Sequence, residues 1–220
     1  MTDPTIPQRI LYFVVRNVVV GFCRLFWRVT VEGRDNIPAT GPFILSPVHR
    51  SNIDTPLVAA CTSRRVHYMG KKEMWKYRFS SAFFTAMGGI PVDRGAADRE
   101  ALRKSAEVLD AGEALVIFPE GTRRSGPVIE DVFEGAAYVA TKTGAPIVPV
   151  GIGGSEGAMP KGAKLIKPVK CVIIIGPPLH PEPGERGKAP RRAVRELNHR
   201  LQAELQRLFD EAQIRAGTPN

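Results

Sequence analysis

Apolar residues run almost unbroken from Ile10 to Trp27, and afterwards they come in short blocks separated by polar, helix-like stretches. The first run reads ILYFVVRNVVVGFCRLFW. At roughly 100° per residue, Arg9, Arg16, Asn17, Arg24 and Arg28 fall within about 120° of one face of a helix. The other face is Ile, Leu, Val and Phe. This predicts an amphipathic helix lying in a membrane interface, with its arginines near lipid phosphates. An ordinary helix packed on the domain is the alternative. Arg16 and Arg24 argue against a spanning helix, which needs about 20 largely uncharged residues. Without a basic segment before the run or a small-residue cleavage site after it, the run is not a secretory signal. Residues 1–35 are therefore read as a membrane-association segment and 36–220 as the globular body.

In that body, apolar blocks at 43–46, 66–69, 114–118, 146–152 and 170–175 predict buried strands, and Gly88 to Val92 a turn into another. Helical spacing covers 98–111, 131–143 and, with Val194, Leu197, Leu201, Leu205 and Leu208, the stretch 190–214. Pro56 suits the first turn of a short helix capped by Asp54 or Thr55. Residues 180–190, rich in Pro and Gly, read as a linker. The stretch 71–84 mixes Lys and Arg with Trp and Phe; it is either a second membrane contact or a solvated helix with an aromatic core face. Strands alternating with helices predict a single α/β domain with a mixed, largely parallel sheet flanked by helices.

Composition narrows the partner. Hydrophobic residues make up 43% of the chain, enough for a folded core rather than disorder. Lys and Arg outnumber Asp and Glu by 31 to 22, a net charge of +9. That favours an anionic partner: nucleic acid, anionic lipid or a phosphorylated small molecule. No nucleic-acid motif appears, and lipid phosphates account for the charge. Cys23, Cys61 and Cys171 have neither metal-ligand spacing nor an even disulfide count, so no metal site is expected.

Two short stretches carry the chemistry. His49 and Asp54 stand five apart after the strand at 43–46. On one continuous helix that spacing would rotate them by roughly 140°. With His49 in a turn and Asp54 at a helix start they can pair, giving a general base and the carboxylate that orients it. The alternative is a loop histidine beside a capping aspartate. The second stretch, Phe118-Pro119-Glu120-Gly121-Thr122-Arg123, follows another strand. Gly121 allows close backbone approach, Arg123 suits phosphate, and Glu120 could accept hydrogen bonds from a polyol, unless it simply pairs with an arginine. Arg94 closes the strand begun at Gly88, as a phosphate ligand or as a partner of Asp93. In open α/β sheets, ligands gather beyond the carboxyl ends of strands, where all three stretches fall.

Four ordered blocks resemble the glycerolipid acyltransferase family that includes the 1-acylglycerol-3-phosphate acyltransferases. They are the His-x4-Asp motif at His49 to Asp54, Gly88 to Arg94, Phe118 to Arg123, and Ile147-Val148-Pro149-Val150. Val48 stands where many members have asparagine. The resemblance implies a monotopic enzyme at the cytoplasmic face of the cell membrane. It would move a fatty acyl group from acyl-CoA or acyl-carrier protein to 1-acylglycerol-3-phosphate, making phosphatidic acid. Glycerol-3-phosphate, another lysophospholipid or a glycolipid are alternative acceptors, and a non-catalytic lipid-binding protein is the rival class. By the same resemblance His49 is the base and Asp54 its orienting partner. Arg94 and Arg123 bind the acceptor phosphate, Glu120, Gly121 and Thr122 line its site, and Pro149 shapes a strand or acyl groove. Neither metal nor redox cofactor is implied.

Overall fold

A computed structural model describes residues 5–92, 99–182 and 187–218. Helix α1, Ile6–Phe26, begins four residues before the apolar run. Gln8 Oε1 accepts the Thr5 N–H at 2.9 Å, and Pro7 sits in the first turn, where a missing N–H costs nothing. One side of α1 buries Tyr12, Val20 and Cys23. Tyr12 Oη accepts the Val66 N–H at 3.1 Å, and just past the helix Trp27 Nε1 donates to the Lys167 carbonyl at 3.0 Å. Arg16 turns the same way and gives Nε and Nη2 to the Thr62 carbonyl at 3.0 and 2.5 Å. That arginine therefore ties α1 to the body instead of facing outward with the others. The other side leaves Ile10, Val14, Val18 and Leu25 exposed.

After α1 the chain forms β1 (Thr30–Glu32), β2 (Phe43–Pro47), α2 (Asp54–Val58), β3 (Val66–Lys71), α3 (Arg78–Ala86) and β4 (Gly89–Val92). It continues with α4 (Arg99–Asp110), β5 (Ala114–Val116), α5 (Gly135–Thr143), β6 (Ile147–Gly153), α6 (Ser155–Ala158), β7 (Val172–Ile175) and α7 (Arg191–Ala216). The strands make one seven-stranded sheet in the order β1-β7-β6-β2-β5-β3-β4. Only the β6–β7 pair is antiparallel, so β1 and β7 run against the other five. The fold is the mixed, largely parallel α/β sheet expected. In the stretch 71–84 the chain makes a 3-10 turn, Lys72–Trp75, and then α3, with Tyr77 and Phe79 exposed.

Central strand β2 is buried at all five positions, flanked by β6 and β5. Its neighbours pair in parallel register, Leu45 against Val116 and Ser46 against Pro149. Pro149 is thus a buried sheet residue, and its carbonyl accepts the Gly176 N–H at 2.9 Å. Because β2 and β5 are adjacent and parallel, the loops leaving them emerge side by side at one edge of the sheet.

His67, on β3, is buried, and its Nδ1 lies 3.1 Å from the Gly88 carbonyl. Burial, with the Arg65 cation nearby, pushes its imidazole down to about 4. The unfolded chain takes up this proton near the ordinary value of 6.5, before the folded protein does. Stability should therefore fall as pH drops from 6.5 towards 4, by about 3 kcal/mol from this group. Urea midpoints of wild type and His67→Gln across that range check this. The variant should have the shallower slope, and equal slopes would refute the assignment.

Candidate active site

Asp54 is the first residue of α2, and its carboxylate folds back over the loop before it. Oδ2 accepts the backbone N–H groups of Arg50 at 2.7 Å and Ser51 at 2.6 Å, and lies 3.2 Å from His49 Nδ1. Asp54 is fully buried. One oxygen thus shapes the loop and holds the ring. With Nδ1–H given to the carboxylate, Nε2 keeps its lone pair, as a base requires. The His49 side chain stays 13% exposed, so the ring is seated but reachable. The Phe118 ring lies against it, with centroids 4.2 Å apart and planes tilted by 33°. The short helix start predicted from Pro56 is what brings two residues five apart together.

The turn after β5 meets this loop directly. Gly121 N–H closes it onto the Phe118 carbonyl at 3.1 Å, with Gly121 at a φ of +64°. A Cβ there would also stand 2.7 Å from the ring of exposed Phe133, which can turn aside, so it is the backbone conformation that calls for glycine. Arg124 N–H donates to the His49 carbonyl at 2.9 Å. Glu120 Oε1 accepts the His49 N–H at 2.7 Å. Glu120 is buried, its carboxylate turned to the His49 loop, and burial pushes its pKa above the ordinary carboxylate value despite the His49 N–H and the Arg50 cation. Its second oxygen lies 3.4 Å from Arg50 Nη2, so the arginine partner left open by the sequence is Arg50.

Thr122 is exposed on the turn and Arg123 half-buried. Arg124 pairs with Glu130 at 2.9 Å, whereas Arg123 makes no ion pair among the described residues. Arg94 lies outside the described residues. Sequence reasoning missed Arg50. Between His49 and Ser51 it reads as one more surface cation, and nothing in the local sequence signals its burial.

One residue past Asp54 begins the wall of an apolar cavity of about 370 Å³. Thr55 and Pro56 of α2 and Ala59 just past it line one side; Val15, Arg16 and Val19 of α1 and Met69, Trp75, Phe83 and Phe84 are among the residues that line the others. Its size is in the range of small-ligand sites, and its lining suits a hydrocarbon chain.

A sequence model of the family described as Acyltransferase matches residues 28–153, which hold His49, Asp54 and the Phe118–Arg123 turn. The chain belongs to the acyltransferase family. Among this acyltransferase's relatives, the 1-acyl-sn-glycerol-3-phosphate acyltransferase of Bacillus subtilis is 32% identical over 171 residues, spanning 77% of this chain and 83% of the relative. The enzyme of the same name from Pseudomonas aeruginosa is 29% identical over 213 residues, 91% of this chain and 78% of the relative. The crystal structure of the 1-acyl-sn-glycerophosphate acyltransferase PlsC from Thermotoga maritima superposes with a TM-score of 0.75 at 26% identity, covering 96% of the acyltransferase and 83% of that chain. Among the described residues no helix is long and apolar enough to cross a membrane, and no cluster of His, Cys, Asp and Glu could hold a metal ion.

Proposed function

We propose that the protein transfers a fatty acyl group from a thioester, acyl-CoA or acyl-carrier protein, to the free hydroxyl of 1-acylglycerol-3-phosphate, making phosphatidic acid. The observation that supports this reading most is the His49–Asp54 pair, beside the Gly121 turn and one residue before Thr55 in the wall of an apolar cavity. His49 Nε2 takes the hydroxyl proton as the oxygen attacks the thioester carbonyl. The C–S bond then breaks, and the proton on His49 passes to the departing thiolate. Asp54 stabilises the imidazolium between these steps. Transfer of an acyl group from sulfur to oxygen changes no oxidation state and calls on no metal or redox group. Arg123, with Arg94, holds the acceptor phosphate. Gly121 and Thr122 line the glycerol, and Glu120 acts from beneath by fixing the His49 backbone. The acyl chain lies in the cavity between α1 and α3.

The test is acceptor competition in mixed micelles, with released thiol and lipid product both followed. 1-Acylglycerol-3-phosphate should outcompete glycerol-3-phosphate and lysophosphatidylcholine. A preference for either of those would redirect the acceptor and leave the chemistry.

The acyltransferase works at the cytoplasmic face of the cell membrane, with the exposed side of α1 lying in the interface. Val14, Val18 and Leu25, at spacings of four and seven, are 55%, 67% and 85% exposed and share one stripe. Replacing all three by serine should weaken co-sedimentation with anionic vesicles at least about tenfold while the fold is kept. Unchanged vesicle binding would remove α1 as the anchor.

A further inference from the structure

Arg50 is the largest fully buried side chain among the described residues, at 0% exposure. Its Nη2 donates to the Val128 carbonyl at 2.9 Å and lies 3.4 Å from Glu120 Oε2. Its Cζ stands 4.9 Å from the centre of the Phe209 ring on α7. Nε and Nη1 have no hydrogen-bond partner, and neither has Asp54 Oδ1. A guanidinium buried with three of its five N–H donors idle is a costly fixture, so packing alone gives no reason for it.

The charges around it supply one. Two buried carboxylates, Asp54 and Glu120, lie beneath the imidazole together with one buried guanidinium. The three sum to one negative charge, which an imidazolium at His49 cancels. Cys171, just before β7, feels the Asp54 charge, but burial pushes its thiol up to about 12 and it stays neutral. Arg124 and Glu130 cancel each other. Arg123 sits half-buried on the turn. Helix α7 offers uncharged Phe209, Gln206 and Gln202, with Asp210 accepting from Gln206 at 2.9 Å.

Gln206 also holds the segment that Arg50 holds. Its Oε1 accepts the Ile129 N–H at 2.7 Å and its Nε2 donates to the Pro127 carbonyl at 3.0 Å. Residues 127–129 are thereby bonded alternately to α7 and to Arg50.

We propose that Arg50 is a positioning residue that balances the charge beneath His49 and ties the His49 loop to α7 through Val128 and Phe209. This rests on His49 being the base. Without Arg50 the site would carry one more negative charge and would hold its proton more tightly. The base would then be protonated over more of the working pH range.

The experiment compares Arg50→Gln, Glu120→Gln, the double variant and Arg50→Lys in the full-length protein, through pH profiles of kcat/KM. Arg50→Gln should move the acid limb up by about one pH unit and lower kcat roughly tenfold at neutral pH, with KM for the thioester nearly unchanged. Glu120→Gln should move the limb down. The double variant restores the wild-type charge and should return the limb to its wild-type position. Arg50→Lys keeps the charge and should leave the limb in place. Where Arg50→Gln does not fold, the difference between Glu120→Gln and the double variant reads the same charge. An unmoved limb in folded Arg50→Gln, or a double variant whose limb coincides with that of Glu120→Gln, overturns the proposal. His49→Ala separates the two failures: full activity there defeats the base itself, whereas loss there with an unmoved limb in Arg50→Gln defeats only the role of Arg50.

Discussion

Replacing His49 by alanine should reduce acyl transfer by about 100-fold or more, with the fold intact. Two features make the effect large. The base is the group that must accept the hydroxyl proton, and no other histidine can substitute. His67 is buried on β3, and His180 and His199 are carried by the segment before α7 and by α7 itself. The fold should survive because the loop is held by other groups. Asp54 accepts from the Arg50 and Ser51 backbones, and Glu120 accepts from the backbone N–H at position 49, which alanine retains. Far-UV circular dichroism and the urea midpoint should therefore match wild type. A folded His49→Ala that transfers acyl groups at the wild-type rate would exclude this histidine as the base.

The second large effect is structural and lies far from the chemistry. Gly153→Ala should lower unfolding free energy by about 3 kcal/mol or more. Strand β6 packs under α7 so closely that a Cβ at Gly153 would overlap the Ala212 carbonyl, and one at Gly151 the Leu208 carbonyl. The obstructing atoms are backbone, so no rotamer change relieves them. Helix α7 would have to lift from a sheet face on which Leu201, Leu205, Leu208 and Phe209 are buried. Gly153 does not lie in the left-handed region, so the cost is space and not conformation. Gly21 on α1 is the control: a Cβ there meets nothing within 4 Å, and alanine should be neutral or stabilising by up to about 1 kcal/mol. Denaturant midpoints decide it, and a Gly153→Ala midpoint equal to wild type would show that α7 has room to move.

Those two glycines illustrate what the amino-acid order conveyed and what it did not. Block hydrophobicity located β2, β3, β5, β6 and α7, because buried parallel strands and an amphipathic helix each leave a dense periodic signal. It did not distinguish Gly151 and Gly153 as contact points, since a glycine in a strand looks alike whether it faces solvent or a helix. Strand β1, Thr30-Val31-Glu32 at the edge of the sheet, has a single apolar residue and no buried position, so it leaves no apolar block to read. The reversal between β6 and β7 depends on the path of the intervening chain rather than on the residues in either strand. For the site, the turn and helix start at Pro56 made the His49–Asp54 pair legible. The inward aim of Glu120 was not, because its partners, the His49 N–H and Arg50, are 71 and 70 positions away along the chain and become neighbours only when β2 and β5 pair. The same long-range closure hid Arg50, whose burial is completed by Phe209 from the last helix.

Parallel rates of thiol release and phosphatidic acid formation, measured with wild-type protein on vesicles carrying 1-acylglycerol-3-phosphate and a long-chain acyl-CoA or acyl-carrier protein, test the central claim most directly. Equal rates, one lipid made for each thiol freed, are the predicted result. Thiol release without lipid product would make the acceptor water and the protein a thioesterase, and absence of both would contradict acyl transfer at His49 altogether.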